Sequence, residues 1–590
     1  MKLSDYVIDF LIEKEVKHLF LLVGGSCAHL VDSLFQKKME IEPICVQHEQ
    51  AAAFAAEGYA RMSQGVGVAM ATSGPGATNL ITGIGSAFFD SIPCLFLTGQ
   101  VNTYDFSGES PQRQRGFQET DIVNIVKPIT KYAALVDDPA SIRYHLEKGF
   151  SMATRGRPGP VLIDLPMDVQ RADISPESLN GYREDGEIAA FNEKSLAISV
   201  GKTASLLNGA KRPVILVGGG VRIARAAKWL RRLVQLTQIP VVVTYAGKDA
   251  FPNDHPSYAG FIGNYGHRCG NFTVANADVL LVLGSRLDTR TTGSSPQLFA
   301  REATIIQVEI DPYELNQRVK CQHPVLADLR VFLEYLVQEL GESPSLDIAE
   351  WLGRVNSFKS QFPWFPREHK PSDSQVDPYV FMEALSEELG EDDIVVADMG
   401  QTRVWALQML SVREEQRFFT SVGMAPMGYG LPAAIGASFA WPGRRVVCLA
   451  GDGGIQLNIQ ELQTVFFHQL PVKIFIINNA SYGMVKQFQQ FYFDGRVFGT
   501  GEGYSCPDFS RIAESYGIPT ATLQDTSDIR QGIRSILDEE GPFLANIIIP
   551  SDTSVIPKVR VNHPIEDAEP LLDREEFLAN MVIPPYLDSE

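Results

Sequence analysis

Three consecutive α/β units, each built on a parallel sheet, are predicted by three features of the sequence. Short apolar runs of four to eight residues recur along the chain, and most end in Gly, Pro or Ser. Helical stretches separate them, which is the βαβ pattern. Polar, charged segments at 180–193 and 362–377 break the alternation twice and read as linkers.

The first unit, 1–183, carries apolar runs at 18–23, 66–71, 94–98 and 161–165. The middle unit, 194–350, opens with a strand and a glycine turn at 213–220 and continues through 279–283 and 304–309. The last unit, 376–554, repeats the pattern at 394–397, 446–450, 472–477 and 543–549. A tail, 555–590, holds five prolines and many acids and is expected to wrap over a neighbouring surface.

Composition narrows the class. A chain of 590 residues with 45% hydrophobic and 21% charged residues is neither disordered nor a small disulfide scaffold. The net charge is −20, from 51 basic and 71 acidic residues, which argues against nucleic acid as a main partner. The seven cysteines are scattered and form no CxxC pair, so structural zinc and a disulfide framework are not expected. No stretch approaches the ~20 apolar residues of a membrane span. The first fifteen residues read as an amphipathic helix, not a signal peptide, so a reducing cytoplasm is the simplest expectation.

The strongest chemical signal lies in the last unit. The run 446–450 ends in Gly451-Asp452-Gly453-Gly454, and the run 472–477 ends in Asn478-Asn479. Asn479 follows Asp452 by 27 residues. Two parallel strands joined by a helix would bring both ends to one carboxyl edge of the sheet, where α/β ligands bind. An Asp carboxylate and an Asn carbonyl are hard oxygen ligands suited to Mg²⁺ on a diphosphate. Glycines would let the backbone approach the phosphate. An ordinary turn explains a lone GDG well, but explains GDG and NN together at this spacing poorly.

This pattern resembles the thiamine-diphosphate enzymes. The resemblance implies that Asp452, Asn479 and the main-chain carbonyl of Ser481 hold the metal. It also implies a carboxylate that drives the cofactor's aminopyrimidine tautomer, and Glu49 occupies that position after the run 43–48. Taken alone, a Glu at a helix start needs no function, because the helix dipole favours an acid there. A mostly apolar pocket would raise its pKa toward neutrality.

Longer runs sharpen the resemblance to acetohydroxyacid (acetolactate) synthases. They are Thr72-Ser-Gly-Pro-Gly-Ala-Thr-Asn-Leu80, Asp90-Ser-Ile-Pro93, Phe117-Gln-Glu-Thr-Asp121, Gly156-Arg-Pro-Gly-Pro160 and Met427-Gly-Tyr-Gly-Leu-Pro432. The units then become pyrimidine-binding, central Rossmann-like and diphosphate-binding domains. Met427 would wedge the cofactor into its bent form, and the Ala425 backbone would bind the pyrimidine. Gly400 and Gln401 would hold the diphosphate, while Phe117 and Gln118 would face the reacting carbon. Gly25, Pro75, Asn79, Gly453, Gly454 and Met484 would complete the thiamine diphosphate shell. Without the resemblance, Met427 and Phe117 would be read as core residues.

The same resemblance implies FAD, in no redox role, in the middle unit. Gly218, Gly219 and Gly220 would approach it, Arg286 and Arg290 would hold its diphosphate, and Asp288, Glu309, Ile310 and Asp328 would complete the site. The usual Met-His flavin contact is replaced by Asn264-Tyr265. Active sites shared between chains, in a homodimer or homotetramer, are also implied.

Three departures bear on the acceptor substrate. Met167 stands where the synthases carry a channel Lys, and Phe488 stands where they carry Trp. Ser26, Cys27 and His29 replace a small apolar run. These residues are expected to line the acceptor pocket and to disfavour a plain second 2-ketoacid. Packing alone is an equal account of Met167 and His29. The tail is similar to that of the YerE-type carboligases, which add a two-carbon acetyl unit from pyruvate to a keto group. The stretch 112–115 lacks the adjacent histidines of simple pyruvate decarboxylases. The expectation is therefore a carboligase using a ketone, keto-sugar or 2-ketoacid acceptor. The alternatives are a housekeeping acetolactate synthase large subunit, a thiamine diphosphate lyase or hydrolase, and a flavin-binding regulatory subunit. The acidic excess is expected on the outer surface and in the tail, serving solubility.

Overall fold

The computed structural model describes residues 1–590 except 109, 185–192, 343, 345, 373–374 and 587–590. Most of the first linker therefore lies outside the described residues. The chain forms three six-stranded sheets, all parallel. The first comprises β1 (His18–Leu21), β2 (Glu42–Cys45), β3 (Gly67–Ala71), β4 (Cys94–Gln100), β5 (Tyr132–Leu135) and β6 (Val161–Pro166), in the order β2-β1-β3-β4-β6-β5. The second comprises β7 (Pro213–Val217), β8 (Val241–Val243), β9 (Tyr258–Phe261), β10 (Val279–Leu283), β11 (Thr304–Glu309) and β12 (His323–Leu326), in the order β12-β11-β10-β7-β8-β9. The third comprises β13 (Ile394–Ala397), β14 (Arg417–Phe419), β15 (Val446–Gly451), β16 (Val472–Asn478), β17 (Thr520–Leu523) and β18 (Phe543–Ile548), in the order β14-β13-β15-β16-β18-β17.

The central strands are buried along their whole length, as β3, β4, β6, β7, β10 and β16 show. Helices cover both faces, so these strands read as unbroken apolar runs. Edge strands are different. β12 and β17 keep exposed positions, and β2 carries Glu and Pro, so their sequences lack that signature.

Strand order reverses between β1 and β3, between β7 and β10, and between β13 and β15; the first and third sheets turn again at their far edge, where β5 and β17 lie outside β6 and β18. Neighbouring connections leave such a switch point in opposite directions and open a crevice at the carboxyl ends. Gly25 and Pro75 lie just past β1 and β3. Gly218 and Gly284 lie just past β7 and β10. Gly400 and Asp452 lie just past β13 and β15. Topology thus gathers most of the motif residues at three crevices.

The first and last units meet through the helices Glu49–Ser63 and Gly430–Ala440, which cross backbone to backbone. A Cβ on Gly58 would run into the carbonyl of Ala433, and one on Gly436 into the carbonyl of Ala55. Small residues on both helices make this approach possible. A buried ionic cluster lies beside it. Arg61 Nη2 bonds Glu57 Oε1 at 2.7 Å and Asp90 Oδ2 at 2.5 Å, and the Tyr429 hydroxyl donates to Glu57 at 3.2 Å. Asp90 also accepts the main-chain N–H groups of Val422 and Gly423, which ties the 422–427 segment to the first unit.

The tail wraps as expected, over the middle unit, but its acids are not all at the surface. Glu566 is 2% exposed and pairs with Arg301 at 2.6 Å, and Arg367 pairs with Glu576 at 2.5 Å. Asn271 donates to the Ile565 carbonyl, and Phe577 is buried against Phe272. Part of the acidic excess therefore neutralises arginines of the middle unit and the second linker; it does not serve solubility. Among the described residues, no helix is long and apolar enough to cross a membrane.

Replacing Gly436 with Ala should force the two helices apart. We expect a loss of about 2–3 kcal/mol, read as a lower denaturant midpoint, with no loss in an exposed helical control such as Gly353→Ala, where an added Cβ meets open space.

Candidate active site

Glu49 is the first residue of its helix, directly after the β2 segment, and is buried. His48 caps the helix, its Nδ1 accepting the Gln50 N–H. The Asn79 amide donates to Glu49 Oε2 at 2.9 Å. Gly76 lies against Glu49 Oε1, the oxygen left open. Asn79, expected in the cofactor shell, orients the carboxylate with its amide nitrogen.

Two residues flanking Glu49 are gripped by the last unit. The Gln47 N–H donates to Glu461 Oε1 at 3.0 Å, and Asn458 Nδ2 donates to Gln50 Oε1 at 3.0 Å. Asn458 also bonds the Gly428 carbonyl at 2.8 Å, next to Met427. Burial pushes the Glu461 carboxyl up to about 7, against the lowering effect of the Thr464 hydroxyl and the Gln47 N–H.

Gln118 takes the left-handed conformation at φ +65° and packs on Gly74, at the carboxyl end of β3. Phe117 beside it is 85% exposed, so it is not a core residue. The first-unit half of the site thus holds Glu49, Asn79, Pro75, Gly25 and Gln118.

The second half lies past β13, β15 and β16. Asp452, Asn479 and Ser481 are buried together, and Asp452 Oδ2 accepts the Ser481 N–H at 3.0 Å. Between them Ala480 is held at φ +48°, and Ala425 stands at φ +54°. Left-handed non-glycine residues cost roughly 1–2 kcal/mol each and concentrate at functional sites. Asn479 Nδ2 donates to Gln401 Oε1, which leaves its carbonyl oxygen open. Gln401 in turn donates to the Thr553 carbonyl. Its side chain therefore positions Asn479, while its main-chain N–H stands at the helix start beside Gly400. Gly400, at φ +128°, has open space where a Cβ would stand.

The GDGG glycines have a different reason. A Cβ on Gly453 would strike the Tyr482 ring, and one on Gly454 would strike Asp398. The protein's own packing already requires them to be glycine. Gly218 and Gly220 likewise abut Gly284, and Gly219 abuts Ala246. Asp398 was missed by the sequence reading. It is fully buried, accepts the Met399 and Gly428 N–H groups, and burial pushes it up to about 6. The sequence signal was there: an acid directly after an apolar strand, like Asp452.

Burial also pushes Asp452 up to about 6, with the Tyr504 hydroxyl and the Ser481 N–H opposing. A bound cation would favour the ionised form of such a carboxylate. Among the described residues, no group of three or more His, Cys, Asp or Glu could hold a metal. The expected set has one carboxylate, one amide and one main-chain carbonyl, so it is not of that kind. Its oxygen donors fit Mg²⁺.

Above β7 and β10 lies a cavity of about 580 Å³. Gly219, Gly220, Arg286, Asp288, Glu309, Ile310 and Asp328 line it; Gly218 and Arg290 do not. Arg61, Asp90, Arg157 and Phe419 line it too, from the first and last units, and were not foreseen. Asp288 and Asp328 each cap a helix, accepting the Arg290 and Thr291 N–H groups and the Arg330 and Val331 N–H groups. The volume and the basic side chains fit a large anionic ligand such as FAD.

The proposed acceptor residues divide. Cys27 has zero exposure, bonds the Gly24 carbonyl through Sγ, and belongs to the first core, so it lines no pocket. Ser26 is tied to Ser73 at 2.8 Å, and the Gln170 amide reaches its carbonyl, so the short helix Met167–Gln170 sits beside it. His29 is half-buried near Lys2 and Arg171, and burial lowers its pKa first. Phe488 lies elsewhere, on the helix Gly483–Tyr492, with Met484 in the first turn of that helix. Among the described residues, no hydrogen bond joins Glu49 to Asp452 within one chain.

Three family models match in order. They are thiamine pyrophosphate enzyme N-terminal TPP binding domain at 1–125, central domain at 200–336, and C-terminal TPP binding domain at 398–547. The chain is a thiamine-diphosphate enzyme. It is 36% identical to the acetolactate synthase large subunit of Cyanidium caldarium over 94% of both chains. It is 37% identical to the probable acetolactate synthase large subunit of Methanocaldococcus jannaschii, covering 93% of this chain and 92% of that one. It is 36% identical to acetolactate synthase 1, chloroplastic, of Zea mays, covering 94% and 86%. Within its class, then, the chain belongs to the acetolactate synthase-like family, whose enzymes form carbon–carbon bonds.

Glu461→Gln tests the grip on Gln47. The folded carboxyl of Glu461 is raised, so the wild type loses stability as pH climbs from about 4.5 to about 7, while the neutral amide loses none. The melting temperature of the variant relative to wild type should therefore rise between pH 5 and pH 8. A constant difference would show that Glu461 is not held as a proton-bearing buried acid.

Proposed function

We propose that the enzyme decarboxylates pyruvate and joins the two-carbon acetyl unit to a second 2-ketoacid, as an acetolactate synthase. The observation that carries this reading is the pairing of an Asn79-oriented Glu49 with the Asp452–Asn479–Ser481 cluster, in a chain whose relatives share that name. Those relatives favour a 2-ketoacid acceptor over the ketone or keto-sugar that Met167 and Phe488 alone suggest. The cofactors are thiamine diphosphate, Mg²⁺ and FAD.

Thiamine diphosphate, when bound, supplies the carbanion that adds to the ketoacid and the electron sink for loss of CO₂. Glu49 Oε1 would hydrogen-bond the pyrimidine nitrogen of the bound cofactor, and Asn79 keeps that oxygen aimed by holding Oε2. Asp452, Asn479 and Ser481 would hold the metal, and the helix N-terminus at Gly400 would offer main-chain N–H groups to the diphosphate. Met427, anchored through Gly428 to Asp398 and Asn458, supports the cofactor. Arg286 would face the FAD diphosphate in the 580 Å³ cavity, and Arg157, paired there with Asp311 and Glu314, would add to the basic wall. Holding these groups fixed before reaction is the main source of rate.

Each site is completed by a second copy of the chain, in a homodimer or homotetramer, with Glu49 from one and Asp452 from the other. Seven unpaired cysteines suit a reducing compartment such as the cytoplasm.

Glu49→Gln and Asp452→Asn enzymes should each consume pyruvate at least ~100-fold more slowly than wild type. Dissociated, mixed and reassembled, they should recover about a quarter of the wild-type rate, because half of the dimers are mixed and each carries one intact site. Mixed dimers without recovered activity would refute the shared site.

A further inference from the structure

Lys558 lies in the tail, on the short strand Lys558–Val559 that pairs with Ala568–Glu569. It is 7% exposed. Its ammonium stands 4.5, 4.8 and 5.8 Å from the ring centroids of Phe491, Tyr492 and Phe488. Among the described residues it has no carboxylate partner and donates no side-chain hydrogen bond. Other tail cations differ: Arg560, over the same Phe491 ring, pairs with Glu569, and Arg574 pairs with Asp567. Aromatic faces attract a cation without neutralising it, so the desolvated charge still favours an anion.

The position of this cation ties it to the site. The helix that carries the three rings starts two residues past Ser481. Its first turn holds Met484, whose sulfur accepts the Tyr265 hydroxyl at 3.4 Å. The neighbouring Asn264 carbonyl accepts the Val559 N–H at 2.8 Å. Lys558 is thus fixed from the tail, the middle unit and the helix leading out of the metal loop. Phe488, the ring farthest from the ammonium, is 44% exposed, so this cluster opens outward. Met167, by contrast, brings no charge to the first-unit side of the acceptor region.

We propose that Lys558, seated on Phe488, Phe491 and Tyr492, is a specificity-determining residue that receives the carboxylate of the 2-oxo acid acceptor. This rests on the carboligase reading above. The cation recognises the acceptor's charge and the rings recognise its apolar end. A neutral carbonyl acceptor gains nothing from Lys558. The competing role is mechanical, a cation–π clasp that pins the tail to the helix, and it would act on every acceptor alike.

One competition experiment separates the two. The holoenzyme is given pyruvate together with acetaldehyde, and acetolactate and acetoin are quantified by NMR without acid treatment. Both products draw on the same donor step, so damage to that step cancels in their ratio. Lys558→Met should raise the acetoin-to-acetolactate ratio about tenfold, roughly one 1.4 kcal/mol step in discrimination. Lys558→Arg should return it to within about threefold of wild type, and melting curves of both variants report folding. An unmoved ratio in a folded Lys558→Met enzyme would overturn the proposal in favour of the clasp. A wild-type enzyme that makes neither product would overturn the carboligase reading itself; acetoin alone would overturn the 2-oxo acid acceptor.

Discussion

The structure depends on the close crossing of two helices, Glu49–Ser63 and Gly430–Ala440. Their backbones touch at Gly58 with Ala433 and at Gly436 with Ala55, where no side chain fits. Each helix begins at a part of the active site. Glu49 is the first residue of one, and the Ala425–Gly428 segment leads into the other. The crossing therefore sets how the pyrimidine half stands against the diphosphate half of the chain. The Glu57–Arg61–Asp90–Tyr429 cluster and the Asn458 and Glu461 contacts lock it from either side. Burying these charges gains little net stability; it makes the geometry specific, since any shift strands an unpaired charge.

Around that crossing, three sheets repeat one solution. Each reverses its strand order at a corresponding place, β1/β3, β7/β10 and β13/β15, and each of these reversals opens a crevice lined by the first residues past two strands. The first and third crevices gather the residues proposed to hold thiamine diphosphate, and the second holds the 580 Å³ cavity. The tail closes the arrangement through ion pairs with arginines of the middle unit and its linker.

The central strands were legible because burial on both faces leaves only apolar residues. The edge strands β12 and β17 were not, because they meet solvent and lose that signature; the edge strand β2 was read only from the short run before Glu49. Asp452, Asn479 and Glu49 were legible because each follows an apolar run at a fixed place in a motif. Roles that arise from tertiary contact were not. Nothing local says that Asn79 holds Glu49, that Gln401 holds Asn479, or that Gly453 makes room for Tyr482. Cys27 misled because its motif neighbours line a crevice while its own side chain turns into the core. Arg157 and Arg61 were invisible for a related reason: their cavity lies between units, and no single motif contains it.

The central claim is that Glu49 and Asp452 serve one carbon–carbon bond-forming reaction on pyruvate. Carbon-13 NMR of labelled pyruvate, with enzyme, thiamine diphosphate and Mg²⁺, tests it most directly. The account predicts one CO₂ and one acetolactate for every two pyruvates consumed, and neither when thiamine diphosphate is withheld. Equal amounts of CO₂ and acetaldehyde without acetolactate, or no turnover at all, would contradict it.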